Sequence, residues 1–370
     1  MEDPRVDRLA GLLVEHSTRV RPGHRVVIEA EPAAEPLVKA LARRILRAGG
    51  HPQPLITLSG MDALYLAEAN PDQLDFVPTF QQLAYETFEA RIRIQSSSNT
   101  KALSRVDEAR VARRQKAMQP ILQTQMERGA RDELRWVTTI FPTEAYAQDA
   151  EMSLPEYEDL VYRACHVHDS ATDSAAVWRG IKANQARIIE AIEGHDRVVV
   201  RGPNCDLSLS ILGRKFKNSH GLHNMPDGEI YTAPVEESVE GWVRFTYPAI
   251  WQGREVEAAE LRFEGGKVVH AAAGKHEAFL LKMLDTDAGA RHLGEFAIGT
   301  NPGLQRHTRN ILLDEKIGGT IHMALGAGNP ETGSKNRSAI HWDMICDMAS
   351  TGSEIRVDGE VVYREGRFVI

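Results

Sequence analysis

The first part of the chain alternates between short apolar runs and stretches in which apolar residues recur at helical spacing. Residues 25–29 form a β-branched run that predicts a strand, and residues 35–48 carry apolar side chains every three or four positions, which predicts a helix. The helical pattern ends at Gly49-Gly50, and a second strand is predicted within residues 51–60. This strand–helix–strand order predicts a parallel pair joined by a right-handed crossover.

The same alternation continues further along the chain. It predicts a strand at residues 90–95, a long helix at residues 105–128 and another strand at residues 135–142. No glycine pattern typical of a nucleotide-binding loop follows these strands, which removes the main support for a dinucleotide-binding domain. We therefore predict an N-terminal α/β domain with parallel strands.

The pattern changes after a helix predicted at residues 174–193. Short segments with alternating apolar and polar residues follow, separated by glycine-containing turns that are typical of hairpins. The clearest of them are residues 206–211, 242–247, 259–273 and 354–370. We predict a two-domain fold, α/β plus α+β, with an N-terminal α/β domain at residues 1–180 and a strand-rich catalytic domain that binds metal at residues 181–370.

Composition narrows the classes of function. The 44 basic and 52 acidic residues give a net charge of −8, without the basic excess that is typical of nucleic-acid-binding proteins. No apolar stretch approaches the ~20 residues of a membrane span, and the N-terminus lacks the apolar core of a signal peptide. Three cysteines without a C-x-x-C pair argue against a disulfide framework. We expect a cytoplasmic protein without nucleic-acid or membrane partners.

Two carboxylates in the C-terminal part stand in positions that favour a defined orientation. Glu229 follows a Pro-Asp-Gly turn and begins a β-prone run, where it is either a solvated glutamate of a surface turn or a carboxylate that the rigid turn fixes for a metal ion. Glu295 lies inside the apolar segment Leu293–Gly299. There it either points outward by strand alternation or, if it points inward, needs a partner or a bound cation.

Two histidines and an aspartate complete the candidate set. His322 lies in a short apolar segment between glycines, where a histidine by itself is more often a hydrogen-bonded member of the core than a metal ligand. His341 and Asp343 are two positions apart on a predicted strand and therefore project to the same face. Three carboxylates and two imidazoles suit two divalent ions that share a carboxylate, and ligands without thiolate favour Zn²⁺, Co²⁺ or Mn²⁺.

Five short motifs in the second half carry a family resemblance. They are N-x-P-x-G-E at 224–229, L-G-E at 293–295, D-E-K at 314–316, H-x-A-L-G at 322–326 and I-H-x-D at 340–343. In this order they resemble the aminopeptidase T/S family of metallo-aminopeptidases, with further similarity in the N-terminal part. The resemblance implies a dinuclear metal site, a homodimer and removal of N-terminal residues from peptides.

The resemblance also implies roles for individual residues. The metal ligands would be the five residues Glu229, Glu295, His322, His341 and Asp343, and the two glutamates would also take part in catalysis.

One feature departs from that family. Its members place a tyrosine shortly after the H-x-A-L-G segment, whereas no tyrosine lies between His322 and His341 here. We expect Asn329, Arg337 or Tyr231 to bind the peptide or small-amide substrate in its place.

A different enzyme class on the same scaffold is the main alternative. The dihydroxypyridine ring-opening dioxygenases resemble this family and use one Fe(II), which His322, His341 and Asp343 could bind as two imidazoles and one carboxylate. Glu229 and Glu295 would then be surplus, and we therefore favour the hydrolase. A binding module without catalysis is disfavoured by the complete set of ligands, because buried carboxylates without an ion are costly.

Overall fold

The computed structural model describes residues 3–251 and 253–370. Its α-helices are α1 (Pro4–Leu12), α2 (Glu35–Arg47), α3 (Met61–Glu68), α4 (Pro71–Asp75), α5 (Thr79–Thr87), α6 (Glu108–Ala130), α7 (Glu144–Asp149), α8 (Leu154–Ala164), α9 (Ser174–Ile192), α10 (Glu277–Leu284) and α11 (Ile311–Asp314). A π-helical turn spans Leu13–Ser17, and 3₁₀ helices span Pro32–Ala34 and Pro330–Thr332.

The strands are more numerous in the second half of the chain. They are β1 (Arg25–Ala30), β2 (His51–Ile56), β3 (Ala90–Gln95), β4 (Arg135–Ile140), β5 (Arg197–Gly202), β6 (Cys205–Ser210), β7 (Lys217–Ser219), β8 (Asn224–Met225), β9 (Glu229–Thr232), β10 (Glu240–Arg244), β11 (Ala249–Trp251), β12 (Arg254–Val256), β13 (Glu260–Glu264), β14 (Lys267–Ala272), β15 (Leu293–Gly299), β16 (Thr320–Gly326), β17 (His341–Asp347), β18 (Glu354–Val357), β19 (Glu360–Arg364) and β20 (Arg367–Phe368).

The chain divides into two compact units. The first comprises the chain up to Ala176 together with Gly221–Pro226, and the second comprises Val177–His220 and Asp227–Ile370. The domain limits given by the sequence, residues 1–180 and 181–370, stay a prediction about separately folding parts.

A parallel sheet organises the first unit. Its strand order is β2-β1-β3-β4-β8, and all of its neighbouring strands run parallel. Val26, Val27 and Ile28 are consecutive on β1 and all buried, as expected where both faces of a parallel sheet are covered. Helix α2 buries its apolar stripe and is followed by Gly49, whose φ of 78° is the left-handed conformation typical of a helix end.

Two antiparallel sheets share one apolar core in the second unit. An eight-stranded sheet has the order β14-β13-β10-β6-β5-β18-β19-β20, and a five-stranded sheet has the order β17-β16-β15-β9-β7. Side chains from both, among them Leu207, Leu261, Phe296 and Met323, belong to a single buried cluster. The predicted fold class, a parallel α/β part followed by a strand-rich α+β part, is confirmed.

The five-stranded antiparallel sheet of the second unit, β17-β16-β15-β9-β7, is called the site sheet below. It carries apolar side chains on one face and polar side chains on the other. Alternate residues of its strands, such as Ile230, Phe296, Met323 and Met344, contribute to the apolar core. The residues between them point to the opposite face, because successive side chains of a strand alternate. That opposite face carries Glu229, Tyr231, Glu295, His322, His341 and Asp343.

The strand register brings these polar residues close together. Ala297 pairs with Tyr231 on one side and with His322 on the other, and Ala324 likewise lies between Glu295 and Asp343. The intervening alanines are small, so that the longer polar side chains on the flanking strands can converge above them.

The described residues contain no candidate for a membrane-spanning helix. No helix within residues 3–251 and 253–370 is both long enough and apolar enough to cross a bilayer.

Gly294 permits the close backbone approach that places Glu295. A Cβ at this position would lie 2.3 Å from the carbonyl oxygen of Ala327 and 2.4 Å from that of Gly326. We expect Gly294→Ala to lower the free energy of unfolding by ~1–3 kcal/mol, because backbone atoms must move apart. Denaturant unfolding measures this change.

Gly180 in α9 provides the matched control for that substitution. An added Cβ there has no atom within 4 Å, so Gly180→Ala should raise the free energy of unfolding by ~0.5–1 kcal/mol through helix propensity. Equal unfolding free energies for the two variants would contradict the role assigned to Gly294.

Candidate metal centre

Three ligand-type side chains converge from β9, β15 and β16. Single ligand atoms of Glu229, Glu295 and His322 all lie within 4.8 Å of one another. His322 Nε2 lies 3.2 Å from Glu229 Oε2 and 3.3 Å from Glu295 Oε1. The imidazole nitrogen therefore faces two carboxylate oxygens, which is an arrangement that a divalent cation can occupy.

A second group shares one member with the first. Ligand atoms of Glu295, His341 and Asp343 also lie within 4.8 Å of one another. His341 Nδ1 is 2.7 Å from the carbonyl oxygen of Ala327, and its Nε2 is 3.6 Å from Asp343 Oδ2. A contact of this kind to the backbone orients a ligand histidine so that its other nitrogen faces the site. The two groups meet at Glu295.

Several buried polar atoms of the two groups have no hydrogen-bond partner within residues 3–251 and 253–370. These atoms are Glu229 Oε2, Asp343 Oδ1 and both ring nitrogens of His322. His322 is 0% exposed, whereas the side chain of His341 is 42% exposed. Buried polar atoms without partners are costly unless an ion satisfies them. Oxygen and imidazole donors without thiolate fit Zn²⁺, Co²⁺ or Mn²⁺.

The electrostatics of the cluster are dominated by negative charge. Burial alone would lower the pKa of His322, but the carboxylates of Glu229 and Glu295 raise it well above its usual value. Burial raises the pKa of Asp343. Burial would likewise raise the pKa of Glu229, but Lys316 and His322 lower it to about 2. The groups therefore favour bound positive charge, whether protons or metal ions.

Lys316 and Glu315 belong to the cluster although the sequence analysis did not propose them as site residues. The Lys316 ammonium contacts Glu229 Oε1 and lies 2.8 Å from Glu315 Oε1 and 3.7 Å from Asp227 Oδ1. Glu315 also shares a group of ligand atoms within 4.8 Å with His322 and Asp343. Their one sequence signal was the D-E-K motif, because a loop has no periodicity that predicts where its side chains point.

Two of the three predicted substrate-binding residues form a hydrogen-bonded pair. Asn329 Nδ2 donates to the hydroxyl of Tyr231 at 3.0 Å, and Asn329 Oδ1 accepts from the backbone of Glu331 at 2.9 Å. Tyr231 shares the polar face of the site sheet with the ligand-type residues. Arg337 is exposed in the segment that precedes β17.

The segment from Asn301 to Lys316 closes on itself and delivers Lys316 to the cluster. The backbone amide of Asn301 donates to the carbonyl of Lys316 at 3.0 Å, and its side chain donates to the carbonyl of Asp227 at 2.7 Å. Inside the loop, Asp314 Oδ1 accepts from the amide and hydroxyl of Thr308, both at 2.7 Å. Asp314 Oδ2 lies 3.1 Å from His307 Nε2.

Comparison with known proteins identifies relatives that match this chain over almost its whole length. The sequence model of the thermophilic metalloprotease family (M29) matches residues 2–368. Aminopeptidase T from Thermus aquaticus is 28% identical, with 99% of this chain and 98% of the relative covered. Aminopeptidase 2 from Geobacillus stearothermophilus is 24% identical, with 98% and 97% covered.

Two solved structures match almost the whole chain, one from the same family and one with lower sequence identity. Wild-type AmpT from Thermus thermophilus matches with a TM-score of 0.85 and 25% identity, covering 99% of each chain. The 2,5-dihydroxypyridine dioxygenase from Pseudomonas putida KT2440 matches with a TM-score of 0.62 and 14% identity, covering 98% of this chain and 96% of its own. The second match shows a shared fold alone.

These matches test the predicted family and enzyme class, but not the roles of individual residues. The resemblance to the aminopeptidase T/S family is confirmed, and so is the prediction of an enzyme of the metallohydrolase class. The roles assigned to individual residues stay predictions.

Asp314 gives the loop a defined pH dependence. Burial raises the pKa of Asp314 to about 7, and burial lowers the pKa of His307 to about 4, so that the pair is neutral in weak acid. Because the folded protein keeps a proton on Asp314 that the unfolded chain loses near pH 3.8, the contribution of Asp314 to wild-type stability falls as pH rises from there to about 7.

Asp314→Asn removes this proton uptake and keeps the shape and one acceptor oxygen. We expect the unfolding free energy of the variant, minus that of wild type, to increase by about 1.4 kcal/mol per pH unit between about pH 4 and about pH 7. Above that range the difference should be constant. Urea unfolding at a series of pH values measures it, and a difference that does not depend on pH would refute the assignment.

Proposed function

Because this chain belongs to the thermophilic metalloprotease (M29) family, we propose that it is a metal-dependent aminopeptidase that removes N-terminal residues from peptides or related small amides. The observation that carries the proposal is the pair of ligand groups that meet at Glu295. One group adds Glu229 and His322, and the other adds His341 and Asp343. A carboxylate shared by two groups is the arrangement of a dinuclear hydrolase.

Charge balance supports two ions rather than one. The cluster contains Lys316 and five carboxylates. The carboxylates belong to Asp227, Glu229, Glu295, Glu315 and Asp343. With neutral imidazoles, five negative charges and one positive charge leave an excess of four negative charges. Two divalent cations, which we propose to be Zn²⁺, Co²⁺ or Mn²⁺, would balance that excess.

The chemistry divides between the ions and the side chains. A pair of divalent ions supplies Lewis acidity and lowers the pKa of bound water. The residues that would hold and orient these ions are Glu229, Glu295, His322, His341 and Asp343. Both glutamates keep the predicted catalytic role in this proposal, with Oε1 of Glu229 engaged by Lys316 and the Glu295 side chain 12% exposed.

Tyr231 and Asn329 are the groups that we assign to substrate binding. The Asn329 amide donates to the Tyr231 oxygen, so the Tyr231 hydroxyl hydrogen can be directed toward a bound carbonyl. Its place on the polar face of the site sheet puts the phenol beside the ligand-type residues. Arg337, which is exposed in the segment before β17, stays the third residue predicted to bind substrate.

The assembly and location remain part of the same proposal. We propose a homodimer, which rests on the family resemblance. We propose a cytoplasmic location because Cys165, Cys205 and Cys346 are all buried free thiols, as is usual in a reducing compartment.

Metal content and amide hydrolysis test the proposed function together. Elemental analysis should find about two divalent ions per wild-type chain, and an aminoacyl anilide should be cleaved in the presence of Zn²⁺, Co²⁺ or Mn²⁺. Glu295→Ala should lose metal and most activity, because both groups depend on this carboxylate. Glu264→Ala, which removes an exposed carboxylate on β13, should change neither quantity.

The same measurements separate the proposal from the one-iron alternative. That alternative uses His322, His341 and Asp343 alone and leaves Glu229 Oε2 buried without a partner. The dioxygenase alternative would be supported, and the aminopeptidase proposal refuted, by one iron per chain, no anilide cleavage and oxygen uptake with a dihydroxylated ring compound.

A further inference from the structure

Lys316 is a buried lysine surrounded by carboxylates. Its side chain is 1% exposed, and its ammonium faces Glu229, Glu315 and Asp227. Lysine is almost never fully buried unless its charge is paired. The position is therefore defined by charge, and not by the packing of an apolar side chain.

The ammonium divides the two oxygens of Glu229 between two tasks. Oε1 accepts from Lys316, whereas Oε2 lies 3.2 Å from His322 Nε2 and has no hydrogen-bond partner in the part of the chain that the structure describes. A protonated lysine has no lone pair and cannot itself bind a metal ion. It can hold Glu229 so that a single oxygen faces the cluster.

We propose that Lys316 is a positioning residue and a permanent counter-ion, which makes Glu229 a one-oxygen ligand and stabilises the carboxylates while no metal is bound. The inference rests on the proposed metal cluster and assigns it a further residue. Divalent ions and Lys316 then act on the same carboxylates, so that each matters most when the other is missing.

The surrounding loop supplies the rigidity that this role needs. The carbonyl of Lys316 accepts from the amide of Asn301 at 3.0 Å, and Asn301 also donates to the carbonyl of Asp227 at 2.7 Å. Asp314, two residues earlier, is fixed by two hydrogen bonds from Thr308. These bonds hold the Lys316 backbone through groups of the chain alone, so the ammonium can stay in place without an ion.

Removing the charge should weaken the metal-free protein selectively. In Lys316→Met the buried carboxylates lose their one lysine, and breaking a buried ion pair is strongly destabilising. We expect the Tm of the chelator-treated variant to fall by ~10 °C or more, and the Tm of the Zn²⁺-loaded variant to fall much less. The rise in Tm on adding Zn²⁺ should therefore be larger in the variant than in wild type.

Two further variants identify the cause of that change. Lys316→Met combined with Glu315→Gln removes one negative charge as well, and it should recover part of the lost metal-free Tm. Lys275→Met serves as the matched control, because Lys275 pairs with two carboxylates at the surface, Glu255 and Glu257. Its Zn²⁺-induced rise in Tm should equal that of wild type.

Every outcome bears on Lys316. Recovery of folded Lys316→Met only when Zn²⁺ is present would support the inference. An equal loss of Tm with and without Zn²⁺, or failure to fold under both conditions, would overturn it and leave Lys316 a purely structural residue. A wild-type protein whose Tm does not respond to Zn²⁺, Co²⁺, Mn²⁺ or Fe²⁺ would instead refute the proposed metal cluster itself.

Discussion

The concentration of buried carboxylates on one face of a β-sheet is the constraint on which the rest of this structure depends. Glu229, Glu295 and Asp343 are held beside His322 with few hydrogen bonds to protein groups. Such an arrangement costs free energy unless cations compensate it. Lys316 supplies one positive charge, and the geometry of the two ligand groups leaves room for metal ions to supply the remainder.

The apolar core of the second unit offsets the free energy that this cluster of charges costs. The eight-stranded and five-stranded antiparallel sheets of this unit bury a shared apolar core, to which four strands of the site sheet contribute one face. Strand alternation then directs every second residue of β9, β15, β16 and β17 to the other face. Alanines at 297 and 324 keep the middle of that face low, so that functional side chains from four strands converge on it. Apolar packing on one face thereby fixes the polar site on the other.

Local sequence patterns could predict much of this arrangement. The helix stop at Gly49-Gly50, the strands at 25–29 and 90–95, and the same-face spacing of His341 and Asp343 all follow from short-range periodicity. Helices α3–α5 were not predicted, because they are short and their apolar spacing is weak. Single-sequence patterns favour long, regular elements.

Other parts of the site depend on contacts that are distant in sequence. Lys316 meets Glu229 across 87 positions, and Asn329 meets Tyr231 across 98. No spacing rule predicts such contacts, since they follow from the pairing of β9 with β15 and from the path of a loop. The five proposed ligands could be predicted from the sequence, because each begins or interrupts an apolar strand. Lys316 and Glu315 lie in a loop, where only the D-E-K motif marked them.

We propose that this polar face binds two metal ions that share Glu295. Anomalous diffraction from Zn²⁺-loaded crystals at the zinc absorption edge tests it most directly. We predict two peaks ~3.5–4 Å apart, one beside Glu229 and His322 and the other beside His341 and Asp343, with Glu295 between them. A single peak bound by His322, His341 and Asp343, with both glutamates outside bonding distance, would contradict the account.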